Sequence, residues 1–152
     1  MTRGNARELA VHLIYAREFT GDEPEMVIAT RLEKEYYENL SGENPVYVDR
    51  PSNAQRAYID RVVTGVANRV DELNEIIGKY AIDWDISRIS KLTRAIMQLA
   101  LFEIQYIDDV PTGVAISEAV RIVKLYDSDE AGAFVNGILG SFAREISSEV
   151  HV

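Results

Sequence analysis

Two histidines, His12 and His151, and no cysteine are all that this chain offers as conventional bases or nucleophile partners near neutral pH. A serine or threonine nucleophile needs an adjacent base. His12 has no second histidine and no acidic cluster around it, so it reads as an ordinary packed or surface histidine. His151 is the penultimate residue. No metal-ligand spacing, phosphate-cradling glycine loop, dinucleotide-binding glycine pattern or G-x-S-x-G elbow occurs. Glu103 and Glu118 lie in apolar surroundings and read as helix-pairing or capping groups rather than a catalytic pair. Neither catalysis nor a metal or cofactor is expected, which leaves the chemistry of binding. Arg3 and Arg7 open the first helical stretch, where the helix dipole disfavours a cation. A bound anion would account for them, as would a solvated face.

The net charge of −9 over 152 residues argues against nucleic acid when taken whole. Its distribution is uneven. Residues 1–19 balance at +1, residues 20–49 at −6 and the remainder at −4. Binding responds to the local field at the contact, so a basic face on an acidic protein is compatible with RNA. No apolar run approaches the ~18 residues of a membrane span. The first residues lack the apolar core of a signal peptide. With the missing cysteines, these features favour the cytoplasm.

The elements that must position these groups are helices throughout. Residues 5–19 place Ala6, Leu9, Ala10, Leu13 and Ile14 at helical spacing. Asp22, with Glu25 three residues on and Pro24 between, predicts a capping box opening a helix over 25–40, with Val27, Ile28, Leu32, Tyr36 and Leu40 inward. A loop is expected from Ser41 to Pro51. Ser52 and Gln55 repeat the capping box and start a long helix over 53–79, stopped at Gly78. Trp84 follows in a connector and is expected to anchor core packing. Ser90 caps a helix over 91–107, apolar almost all round and hence the central strut. Val110-Pro111 breaks the strut, and Thr112 or Gly113 begins a helix ending near Tyr126. Asp127-Ser128-Asp129-Glu130 is an acidic turn able to cap the last helix. Asn136-Gly137 between apolar runs is a hairpin cue, but Phe134, Val135, Ile138, Leu139 and Phe142 repeat with helical spacing. The spacing favours helix, with Gly137 and Gly140 allowing a neighbour close. Val114, Ile122, Val135 and Ile138 are expected to hold the fold. The expected architecture is all-α, about six or seven helices, as one domain of two helical subdomains at about 1–82 and 83–152.

Four blocks, in order and properly spaced, resemble the NusB family of bacterial transcription antitermination factors. They are Ala6-Arg7-Glu8-Leu9-Ala10 with Ile14-Tyr15, then Gly65-Val66, then Arg94 to Glu103, and last Val110-Pro111 with Val114 to Val120, Lys124 and Phe134 to Leu139. The resemblance is weakest over 20–52. It implies two three-helix-type subdomains and binding of single-stranded boxA-type RNA from ribosomal RNA leaders. That binding would be joint with NusE, a small-subunit ribosomal protein, within the antitermination complex of RNA polymerase. It nominates Arg3 and Arg7 for RNA, together with Tyr126, Glu130 and Phe134 around the F-V-N-G motif. It also nominates Tyr15, Thr93, Arg94 and Ala95 for the protein partner. Gly4 and Asn5 stand where the family often has basic residues, Gln98 where it often has arginine, and Ser117 where it often has asparagine. The alternative reading is a self-associating helical domain, such as a homodimer, with the same fold and weak or no independent RNA binding.

Overall fold

Side-chain caps set several of the helix starts. The computed structural model describes residues 1–82 and 89–150; Trp84 and His151, discussed above, lie outside the described residues. Thr2 Oγ1 accepts from the Asn5 amide at 3.0 Å and opens α1, Arg3–Thr20. Gly21 ends α1 at φ 69°, where its amide reaches the Arg17 carbonyl. A left-handed residue at this position suits glycine, which has no Cβ to clash.

The capping box expected at Asp22 is not formed. Glu23 is the N-cap of α2, Pro24–Arg31, and makes no side-chain cap bond. Proline at the first helical position forces the residue before it into extended backbone, so the cap falls on 23. The helix expected over 25–40 also divides. The Glu33 carboxylate accepts from the amides of Glu35 (3.1 Å) and Tyr36 (2.9 Å) and starts α3, Lys34–Leu40. Those two backbone bonds hold its carboxyl below the usual range. The restart changes which side chain points inward: Tyr37 is buried, whereas Tyr36 and Leu40 are only half-buried.

Residues 41–51 contain a 3-10 turn, Pro45–Tyr47, whose Val46 and Tyr47 are buried. Ser52 and Gln55 make the expected reciprocal capping box at the start of α4, Asn53–Ala67. The long helix then breaks. Arg69, at φ −129° and ψ 21°, leaves helical geometry, and α5 runs from Val70 to Tyr80. Its guanidinium lies 4.3 Å from the centre of the Tyr106 ring, whose hydroxyl donates to Glu72. Gly78 keeps helical backbone inside α5 rather than ending it.

Ser90 caps α6, Lys91–Tyr106, by accepting from the Thr93 amide at 3.0 Å. α7 is Thr112–Tyr126, and α8 is Asp129–Val150, with the Ser128 hydroxyl accepting from the Ala131 amide. Asn136 and Gly137 lie within α8, as the helical spacing favoured. Gly137 faces open space, and an added Cβ at Gly140 would meet only Arg144, so neither admits a neighbouring helix closely. A tight passage lies at Gly132, where an added Cβ would come to 3.0 Å from Lys124 of α7.

The described residues are all-α, with eight α-helices and the 3-10 turn against the six or seven helices expected. The chain forms two compact units, Met1–Asn68 and Arg69–Val152. The break after α4 separates them earlier than the boundary near 82 expected from sequence. In the first unit α1 packs on α4 and α2, and nearly every residue from Ala6 to Leu13 is buried. In the second, α6 contacts α5, α7 and α8. Its buried run from Ala95 to Glu103 makes it the strut expected, with Gln98 donating to Asn74 at 2.8 Å. Ile122, Val135 and Ile138 are core residues, but Val114 is 45% exposed. It sits in the first turn of α7, beyond the packed face that begins at Ala115. No described helix is long and apolar enough to cross a membrane.

Candidate nucleic-acid interface

In the first unit the two nominated arginines differ. Arg3, the first residue of α1, is exposed. Arg7, one turn later, is only 7% exposed, with its guanidinium 6.0 Å from the centre of the Tyr58 ring. A cation over an aromatic face is attracted by the ring quadrupole. Glu8 beside it is also buried. Four-residue spacing put Arg3 and Arg7 on one strip of the helix, but sequence gives no sign of where along that strip the core begins. Tyr15 is half-buried and meets Phe19 edge-on, with ring centres 4.9 Å apart. Phe19 is 59% exposed, an aromatic beside the nominated partner residue that the motif blocks did not single out.

His12 belongs to the fold of this unit rather than to a site. Its Nδ1 is 2.8 Å from the Tyr47 hydroxyl, and burial lowers its pKa, with Glu8 opposing and Arg31 adding to the shift.

In the second unit the start of α6 and the turn between α7 and α8 line an open cavity of about 170 Å³. Thr93, nominated for the protein partner, lines it together with Glu130 and Phe134, nominated for RNA. Ser90, Asp127 and Ser128 complete the polar wall. Thr93 Oγ1 donates to Asp127 Oδ2 at 3.0 Å, and Ser90 Oγ approaches the same oxygen at 3.5 Å. Phe134 is 9% exposed, so it serves the core and also closes one side of the cavity instead of standing out as a stacking plate. Tyr126, half-buried at the end of α7, is not among the lining residues. Thr93 and Ala95 are buried, and Arg94 between them is half-buried. Arg94 is thus the least buried of the three. Asp127 was visible in sequence only as part of an acidic turn. Its hydrogen bond to Thr93 spans 34 residues and has no local signal.

Among the described residues, no group of three or more histidine, cysteine or acidic side chains could hold a metal ion. What the geometry offers is hydroxyls, carboxylates and aromatic edges on helical supports, the equipment of an all-helical binding protein.

Residues 4–144 match the sequence profile of the NusB family, and the chain belongs to that family. It is similar to the transcription antitermination protein NusB of Agathobacter rectalis, 36% identical over 94% of this chain and 100% of that one. The protein of the same name from Acetivibrio thermocellus is 40% identical, over 95% of this chain and 90% of that one. In fold it resembles a solved structure of the antitermination factors NusB and NusE in complex with double-stranded RNA. The TM-score is 0.72 at 22% identity, covering 94% of this chain and 96% of that one.

Proposed function

We propose that this protein is a cytoplasmic transcription antitermination factor that binds boxA-type RNA of ribosomal RNA leaders together with NusE and acts on RNA polymerase through that complex. The observation that carries this is membership of the NusB family over residues 4–144, with relatives named transcription antitermination protein NusB aligned along nearly the whole chain. A solved relative that holds NusE and RNA together supports the joint mode of binding over simple self-association.

On this reading Arg3 supplies a phosphate contact, and Arg7 braces the start of α1 from beneath. Glu130 and Phe134 meet the RNA at the cavity, with Tyr126 beside them in sequence. Tyr15 and Arg94 face the protein partner, Phe19 extends the surface at Tyr15, and Thr93 and Ala95 support Arg94 from the core. Single-stranded RNA suits the groups available, since splayed bases offer edges to carboxylates and faces to aromatic side chains.

Fluorescence anisotropy with a labelled boxA-type RNA tests the proposal. Binding is expected to tighten when NusE is added, and to weaken for a scrambled RNA. Equal affinity for boxA and scrambled RNA, with no effect of NusE, would reject it.

A further inference from the structure

The cavity at the α7–α8 turn carries two carboxylates, and their surroundings differ. Asp127 ends α7 and is fixed through Oδ2 by the Thr93 hydroxyl at 3.0 Å, with Ser90 Oγ at 3.5 Å. Those two donors come from the start of another helix, so the orientation of the Asp127 carboxylate is set by α6. Its Oδ1 takes no hydrogen bond from the described residues, and Glu130, in the first turn of α8, has no side-chain partner among them. Beside both lies Phe134. The site therefore presents acceptor oxygens next to an apolar wall, in a space of about 170 Å³.

Phosphate is excluded from such a place by like charge. A group that enters must bring N–H donors and a flat apolar body. Adenine and cytosine carry an exocyclic amino group on the edge that remains free in a single strand, and carboxylates accept from cytosine N4 in known base readout. Guanine offers an amino group and a ring N–H side by side. Uracil instead sets one N–H between two carbonyl oxygens, whose lone pairs would face the carboxylates. Selection by such opposed acceptors needs no added attraction for the right base.

We propose that Asp127 is a base-selecting residue: with Glu130 it makes this cavity a subsite for an RNA base bearing an amino group and against uracil. Thr93 acts as the positioning residue that holds the Asp127 carboxylate in place. The inference rests on the RNA-binding reading given above and adds to it a chemical preference and the residue that sets it. It also places the hydroxyl that orients the base acceptor on the same stretch of α6 as Arg94, the partner-facing residue of that reading.

The test uses the full chain with NusE and a set of boxA-type RNAs. In each RNA one amino-bearing base is replaced by its deaminated counterpart, uracil for cytosine or hypoxanthine for adenine. For the wild type, one position is expected at which deamination weakens binding by about tenfold, the scale of one good base contact. Asp127→Asn should bring that ratio close to one, because the amide can donate to the new carbonyl, and should leave the ratios at other positions unchanged. Thr93→Val should narrow the ratio at the same position. A ratio that survives Asp127→Asn while boxA RNA still binds would overturn the inference. So would an Asp127→Asn effect on NusE affinity measured without RNA, since the carboxylate would then serve a basic side chain of the protein partner. Failure of the wild type to prefer boxA RNA at all would instead overturn the functional reading on which the inference stands.

Discussion

Arg3 and Arg7 lie one helical turn apart, and solvent reaches only the first. A solvated arginine at a helix start gains little from the fold and loses little when removed. Arg3→Ala should therefore lower the salt slope of RNA binding by about 0.7, the share of one phosphate contact on a single strand, and leave the melting temperature within a degree or two. Arg7→Ala removes a side chain packed against Tyr58 and should cost about 1–3 kcal/mol in urea unfolding, the scale of a lost buried contact. Equal effects of the two variants on both measurements would contradict this division. The sequence treated the two arginines alike because helical spacing reports direction and not depth. The same limit applied to Thr93 and Ala95, whose place on the strut was legible and whose burial was not. Glu130 and Phe134 were nominated through the F-V-N-G block, whereas Asp127 gained its partner only when distant segments met.

Element boundaries followed local chemistry where that chemistry was unopposed. The Ser52–Gln55 box and the Ser90 cap formed as expected, since each satisfies amides that a helix start leaves free. The breaks at Glu33 and Arg69 leave no mark on the pattern because apolar periodicity continues across them, and the decisive interactions are a side-chain cap and an arginine–aromatic stack. The segment after α3 shows what such breaks achieve. The Tyr37 hydroxyl donates to the carbonyls of Asp49 (2.6 Å) and Val46 (3.2 Å), Arg50 donates to the Leu32 carbonyl, and Tyr47 reaches His12. Burial pushes both phenols up to about 12, so they stay neutral and able to donate at any working pH. His12 is the titrating member of this clamp. Its folded pKa is lowered below 6.5, so the unfolded chain binds the proton more readily. Its contribution to stability is complete above about pH 6.5, the unfolded value, and is lost as the pH falls from there through the folded value. Melting temperatures between pH 7.5 and 5 should fall more steeply for the wild type than for His12→Gln. Parallel profiles for the two proteins would remove His12 from the account.

At the scale of the whole molecule, the proposed function sets the charge of −9 against the binding of a polyanion. The eight acids of residues 20–49 are all exposed, on or beside α2, α3 and the 3-10 turn. They surround no nominated RNA residue in sequence, so their effect on RNA acts through the field rather than through contacts. A field of this kind alters the rate of encounter more than the preference among sequences. Changing Glu38 and Glu43 to lysine moves the net charge from −9 to −5, a gain of two for each site, at positions exposed to solvent. Stopped-flow association with boxA-type RNA should then accelerate several-fold at ionic strength near 0.01 M, where the screening length is about 30 Å, and hardly at all near 1 M, where it is about 3 Å. The ratio of affinities for boxA and scrambled RNA should stay where it was, because the groups that read the bases are untouched. A changed ratio with an unchanged rate would mean that the acidic segment itself touches the RNA.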